Sequence, residues 1–233
     1  MSTDSLPSEA DILACTTHLS SPGTTHTIAK LNDNRVAKYG GEIAPVEAET
    51  MRYVSEHSDV SLPKVHGFVT NPVTQHKYII MDFVPTQTLE DMLPSLTQNE
   101  KDDIAQLIKI ELKKLRDVPE PEYLGSVGRK ACSHGMLWDS SDLGPEFTPL
   151  MSGPFENQAD FNDGLLLKLS TMPDMAPSYL KFLKGLFCEA FSGHKTVLTH
   201  GDLQPKNIMV QRVGSKDDGS GSFTVSIIDW ETS

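Results

Sequence analysis

Several things are scarce in this sequence. Cysteine is one: Cys15, Cys132 and Cys188 are the only three in 233 residues. They are odd in number and widely spaced, which fits reduced thiols and speaks against a disulfide framework or a cysteine-based zinc site. No run of about eighteen apolar residues occurs, so no membrane-spanning helix is expected. The first fifteen residues lack a basic start followed by an apolar stretch, so no secretory leader is expected and the cytoplasm is the expected compartment. Basic residues are also short, with 20 Lys and Arg against 32 Asp and Glu and a formal charge of −12. A deficit of that size argues against a nucleic-acid partner. It suits solubility first and a cationic small substrate second. No internal repeat is found.

What remains is ordinary globular composition, 38% hydrophobic and 22% charged, enough for one large domain or two small lobes. The first ten residues are polar and expected to fray. Two short strands are expected at Thr27–Ala29 and Arg35–Lys38, joined by the turn-rich Asn32-Asp33-Asn34. Pro45 opens a helical pattern to about His57, with Val46, Met51 and Val54 apolar and Glu47 and Glu49 in the first turn. Leu62 to Val65 returns to an extended path. Tyr78 to Val84 reads as a buried strand stopped by Pro85. Residues 1–85 therefore predict a small sheet with one helix.

Beyond Pro85 the texture changes, and residues 86–233 predict a mainly helical second lobe. Thr97 and Glu100 have capping-box spacing ahead of a helix to about Asp117, with Ile104, Ile108, Leu112 and Leu115 on one face. Residues 119–160 are rich in Pro, Gly, Ser and Asp and read as a long loop. A further helix is expected from Ser178 to Phe191 on Leu180, Leu183, Phe187 and Phe191. Val197 to Asp202 reads as a strand running into a loop. Ile208–Val210 and Thr224–Ile228 read as a hairpin, with Gly214–Ser222 a flexible polar connection.

The chemistry concentrates near the end. His200-Gly201-Asp202-Leu203-Gln204-Pro205-Lys206-Asn207 has the Asp-to-Asn spacing of a protein-kinase catalytic loop, with Gly201 where that loop has Arg. One Asp must take or orient the proton of an attacking hydroxyl, and an Asn a short loop later holds a magnesium ion. Ile227-Ile228-Asp229-Trp230-Glu231 is an apolar strand ending in an Asp, the pattern of a second magnesium ligand. A hairpin brings Asn207 and Asp229 to one end of the same strands. Lys38 ends a strand and Glu47 begins the next helix, suiting a phosphate-binding Lys and its partner, with Glu49 as a rival partner. Each has a plainer reading: a turn Asp, a solvated strand-end Lys, or an acid favoured at a helix start. Trp230 reads as packing.

Taken together, His-Gly-Asp-Leu-x-Pro-x-Asn followed by Ile-Ile-Asp-Trp-Glu resembles the aminoglycoside phosphotransferase family within the choline and homoserine kinase group. Tyr78 to Asp91 resembles the connector of fungal members, and Val36-Ala37-Lys38-Tyr39-Gly40 resembles their first-lobe Lys segment. The resemblance spans about Thr27 to Glu231 and is thin over 119–177. It implies a two-lobed α+β, protein-kinase-like fold, an ATP donor with Mg²⁺, and a hydroxyl acceptor on a small, often amine-bearing molecule. It implies Asp202 as catalytic base with His200 bracing the loop, Asn207 and Asp229 as magnesium ligands, and Lys38 with Glu47 on the phosphates. Met81, Asp82 and Val84 then lie at the adenine-binding connector. Two departures stand out. Only Ser20-Ser21-Pro22-Gly23-Thr24-Thr25 is available as a phosphate-covering loop. The sequence also stops two residues after Glu231, where members continue with helices that wall the acceptor pocket. A truncated, non-catalytic nucleotide-binding relative is therefore the alternative expectation, and a metal hydrolase built on His200, Asp202 and Asp229 a distant third.

Overall fold

The computed structural model of the chain describes residues 6–20, 26–40, 43–119, 121–132, 148–216 and 219–233. The Ser20–Thr25 loop considered for phosphate covering lies, after Ser20, outside them. Contacts divide the chain into two compact units. The first joins Met1–Leu115 to Asp202–Trp230, and the second joins Arg116–Gly201 to Glu231–Ser233. This is a division by packing and differs from the division by sequence texture at residue 85.

The first unit holds two antiparallel sheets. Strands β1 (Thr27–Lys30), β2 (Arg35–Tyr39), β3 (Val65–Thr70) and β4 (Lys77–Asp82) form one, in the order β1-β2-β4-β3. Side chains alternate across a strand, so neighbours in β2 serve opposite faces. Ala37 pairs with Ile80 and joins Ile12 and Tyr78 in one buried cluster. Lys38 pairs with Ile79, which packs with Ile43 and Ala48 on the other face. Ala48 belongs to helix α2 (Pro45–His57). Pro45 sits in the first turn, where its missing N–H costs nothing, and the buried residues recur at Val46, Thr50, Met51 and Val54.

A short helix, α1 (Glu9–Leu13), covers the face opposite α2, with Ile12 fully buried. Fraying was expected for the first ten residues; residues 1–5 lie outside the described ones, and beyond them Ser8 and Asp11 form a capping box instead. Glu9 accepts hydrogen bonds from Asn71, Thr74 and the Tyr78 hydroxyl and pairs with His76 at 2.9 Å. The Tyr78 hydroxyl holds the Glu9 carboxyl below its ordinary value, and burial pushes the Tyr78 phenol up.

The second sheet is β5 (Gln87–Thr88), β6 (Ile208–Ser215) and β7 (Gly221–Ile227), in that order. The hairpin strands run further than expected and leave a connection of 216–220 only. Short α3 (Leu89–Met92) and long α4 (Gln98–Arg116) belong with it. Leu89, Leu96, Ile104, Ile208, Val210, Phe223 and Val225 form the core here. The Thr97–Glu100 capping box is present: the Thr97 N–H donates to Glu100 at 3.0 Å, and the Glu100 N–H donates to Thr97 Oγ1 at 3.4 Å. Glu100 also accepts from Arg212 at 2.8 Å and from the Gly221 N–H at 3.0 Å. One carboxylate thus caps α4 and clamps both strands of the hairpin.

In the second unit, Leu124 and Phe155 form a backbone bridge, and Phe155 meets Phe161 edge-on with centroids 5.6 Å apart. Helices α5 (Thr148–Met151), α6 (Gln158–Ser170) and α7 (Pro177–Ala190) follow. Helix α6 was not expected; its only legible start signal is Asn157, whose side chain accepts from the Asp160 N–H. In α7, Leu180, Leu183 and Phe187 are the half-buried residues, at the expected helical spacing. The strand expected at Val197–Asp202 does not form. A strand needs a ladder partner, and none of the described residues supplies one.

The Thr97 N–H and hydroxyl, Arg212 and the Gly221 N–H hold the Glu100 carboxyl at about 2, the Thr97 and Gly221 backbone groups leading. A folded value below the unfolded one stabilises the protein above the ordinary carboxylate range and loses that contribution as pH falls toward about 2. Glu100→Gln is therefore expected to lower the urea midpoint at pH 7. The gap between wild type and variant should shrink as pH falls from 4.5 toward 2.5; a gap that holds constant with pH contradicts the clamp.

Candidate active site

Lys38 is the centre of the site. Its side chain is 4% exposed, and its ammonium donates to Glu47 Oε1 at 2.9 Å and to Asp229 Oδ1 at 2.6 Å. Glu47, 2% exposed, reaches Lys38 from the first turn of α2. Of the two candidate acids, Glu47 is therefore the one in contact with the ammonium. Asp229 arrives from the far end of the sequence, 191 residues away. It stands one residue beyond Ile228 after the end of β7 at Ile227 and has a φ of 67°, a left-handed conformation that Asp tolerates better than most residues.

The hairpin fixes where Asp229 sits. Ile208 pairs with Ile227 at the last register position, and the Ile228 N–H donates to the Asn207 carbonyl at 3.0 Å. Asn207 and Asp229 therefore flank the same end of the hairpin. Asn207 is 4% exposed and lies in the single turn Pro205–Asn207. Its Nδ2 donates to the Asp202 carbonyl at 2.9 Å and to Asp202 Oδ2 at 3.1 Å. That use of Nδ2 leaves Oδ1 as the Asn207 lone-pair donor. The Gln204 side chain donates to Asp202 Oδ1. Asp202 is thus oriented by groups two and five residues further on, so the catalytic-loop spacing closes on itself. Gln204 was not singled out from sequence; a donor two residues after an Asp is the only signal it carries.

Among the described residues, no group of three or more His, Cys, Asp or Glu is placed to hold a metal. An amide oxygen and one carboxylate do suit magnesium, which keeps several waters and takes only one or two protein oxygens. The donor set at Asn207 and Asp229 fits that ion.

The other expected site residues are distributed as follows. Met81 packs half-buried against the cluster on the α2 side of the sheet. Asp82 ends β4; its carboxylate accepts from the Lys64 N–H at 3.1 Å and pairs with His66 at 2.6 Å. The Val84 carbonyl accepts from the Thr86 N–H at 2.9 Å. His200 belongs to the second unit, is 1% exposed, and its carbonyl accepts from the Thr232 and Ser233 hydroxyls. Beside it, Gly201 has φ 79°, and a Cβ there lies 2.2 Å from the Thr232 carbonyl oxygen. That close approach explains glycine where protein kinases have Arg.

A sequence model of the phosphotransferase enzyme family (APH) matches residues 42–233. The chain belongs to that family. No curated protein matches. Solved structures share the fold. A thermostable mutant of aminoglycoside phosphotransferase APH(4)-Ia, in its apo form, superposes with a TM-score of 0.56 at 17% identity, covering 93% of this chain and 66% of its own. A ternary complex of an APH(4)-Ia mutant with ADP and hygromycin B gives 0.57 at 16% identity, covering 96% and 69%. The GDP and kanamycin complex of APH(2")-IIia gives 0.53 at 14% identity, covering 94% and 68%. The chain thus spans about two thirds of the length of these structures. The fold is that of the protein-kinase-like phosphotransferases, with a small antiparallel sheet and a helical part, as the sequence led us to expect.

The Gly201 geometry makes a stability prediction. Gly201→Ala combines a left-handed φ with a backbone clash and is expected to lower the melting temperature, by roughly 2–8 °C for a cost of about 1–2 kcal/mol. Thermal melting followed by circular dichroism checks it, and an unchanged midpoint contradicts the close approach.

Proposed function

We propose that this chain is an ATP- and magnesium-dependent phosphotransferase that moves the γ-phosphate to a hydroxyl group of a small molecule. One observation carries the reading: the Lys38 ammonium lies between Glu47 and Asp229, and the hairpin holds Asn207 beside Asp229. Phosphoryl transfer asks a protein mainly for positioned charge, and this is the arrangement that supplies it. In this reading residues 1–85 form the nucleotide lobe and 86–233 the catalytic lobe.

Each residue then has a task. Asp202, held through Oδ2 by Asn207, orients the acceptor hydroxyl and takes its proton. Lys38 offers its ammonium to the phosphates while Glu47 keeps it aligned. Asn207 Oδ1 and the Asp229 carboxylate would hold the metal. Bound magnesium neutralises phosphate charge. Met81, Asp82 and Val84 flank the adenine, with Asp82 braced by His66. His200 supports the loop from a buried position. The ADP–hygromycin B and GDP–kanamycin complexes of the structural neighbours support a nucleotide and a small-molecule acceptor. An amine-bearing acceptor also agrees with the −12 charge. The three free thiols agree with a cytoplasmic location.

Calorimetric titration with ATP, with and without Mg²⁺, is the first test. Magnesium-dependent binding that weakens in Asp229→Ala supports the reading; a folded sample with no binding overturns it. Asp202→Asn is expected to leave nucleotide binding near wild type and to lower kcat by roughly 10²–10⁴-fold against an accepted substrate. Unchanged turnover removes Asp202 as the base, and binding without turnover in the wild type moves the assignment to a nucleotide-binding module.

A further inference from the structure

The contact between Lys38 and Asp229 has a consequence for metal entry. It is the shorter of the two ion pairs on the ammonium, 2.6 Å against 2.9 Å, and it engages Oδ1 of the very carboxylate assigned to the metal. Both charges are held in place. Lys38 is 4% exposed with its stem in the sheet, and Asp229 is fixed by the hairpin end and a left-handed backbone. A divalent cation at Asp229 must sit close to this ammonium, and like charges at such range repel even in a partly hydrated site such as this one, where the Asp229 side chain is 30% exposed.

We infer that Lys38 is the resident counter-ion of Asp229, so that a free divalent cation must displace it before using that carboxylate in full. Glu47 makes the displacement affordable in electrostatic terms. It holds the ammonium from the other side, so Lys38 can leave Asp229 without becoming an unpaired buried charge. A triphosphate favours the same movement, since its anionic oxygens attract the ammonium while bringing a cation of their own. The metal pair is therefore nearly closed to bare cations and opens to the metal–nucleotide complex. This rests on the phosphotransfer reading of the site.

The test uses Mn²⁺ without nucleotide, followed by electron paramagnetic resonance of the free ion, on the full chain. Lys38→Met is expected to tighten Mn²⁺ binding by roughly tenfold or more, the scale of one unit charge at about 4 Å in a partly hydrated site. Adding Asp229→Asn to that variant should return binding to the weak wild-type level. Lys206→Met, which removes an exposed cation next to Asn207, should shift binding by less than about twofold because exposed charges are screened. Lys38→Gln keeps hydrogen-bond donors without charge and gives the same readout where Lys38→Met does not fold. Melting supplies a second signal: Mn²⁺ should raise the midpoint of the Lys38 variant more than that of wild type. The inference is overturned if the Lys38 variants bind Mn²⁺ no more tightly than Lys206→Met, or if the tightening survives Asp229→Asn. Because no turnover is measured, a wild type that transfers phosphate beside such a null result loses only this inference.

Discussion

A buried ammonium between two carboxylates is the constraint around which the first unit is organised. Taking a charge out of water costs several kcal/mol even after relaxation, and removing one partner of a buried pair costs about 3–5 kcal/mol. Lys38 and Glu47 are both almost fully buried, so neither is tolerable alone. Three elements must therefore converge: β2 for Lys38, the first turn of α2 for Glu47, and the end of β7 for Asp229. Local structure handles only the first two. Nine residues separate Lys38 and Glu47, and the strand–helix connection returns the chain over the α2 face of the sheet. Asp229 has to be delivered from 191 residues away, and that is the work of the hairpin and its supports.

Those supports form a chain of hydrogen bonds rather than a single brace. The Ile227 N–H donates to the Ser61 carbonyl at 2.9 Å, and Ser61 and Ser226 share a hydroxyl contact at 2.6 Å. The Ser61 N–H in turn donates to Glu111 of α4 at 2.7 Å. The segment after α2 is thus tied to both β7 and α4. At the other end of the hairpin, Glu100 holds Arg212 and Gly221. The strand that presents Asp229 is tied to one helix at both ends, directly by Glu100 and through Ser61 by Glu111, while Val210, Phe223 and Val225 bury its middle. Burial at roughly 25 cal/mol per Å² of apolar surface supplies the cohesion, and the polar ties set the register.

How much of this was legible depended on sequence distance. Periodicity and punctuation gave α2, α4, α7, three strands of the first sheet and the hairpin, because each is written in neighbouring residues: Pro45 at a helix start, Thr97 and Glu100 three apart, Pro85 after an apolar strand. Strand β3 (Val65–Thr70) was legible only as an extended path at Leu62–Val65. Spacing also placed Asp202 near Asn207, since a five-residue loop leaves the pair little freedom. Helix α6 was missed because its start, Asn157 to Asp160, lies in the stretch read as a loop, and its interior of Gly164 followed by three consecutive leucines shows no clear one-sided helical period. The expected strand before His200 failed for the opposite reason: an apolar run has strand propensity but cannot reveal whether a partner strand exists. Two contacts had no local signal at all. Glu9 meets the β3–β4 turn, and Lys38 meets Asp229, through tertiary approach alone. Charge identity made the Lys38–Glu47 pair guessable, but nothing in the spacing separated Glu47 from Glu49 until the helix phase was fixed.

Trp230 follows from the same logic and is more than filler. It is fully buried, and its indole N–H donates back to the Ile227 carbonyl at 3.1 Å. That bond closes a turn over the two intervening residues, Ile228 and Asp229. A strand continuing straight past Ile227 leaves the next side chains to alternate across the sheet, one of them toward the apolar core. Folding Trp230 back instead forces the chain to turn at Asp229, and the left-handed φ of 67° is the local expression of that turn. The backbone strain is modest for an Asp, about 1–2 kcal/mol at most, and burying an indole offsets it. The carboxylate is thereby held off the strand direction and against Lys38. An apolar strand, an acid and a large anchor in immediate succession are thus one device: the strand sets position, the anchor sets direction, and the acid between them is presented rigidly to the charge it must meet.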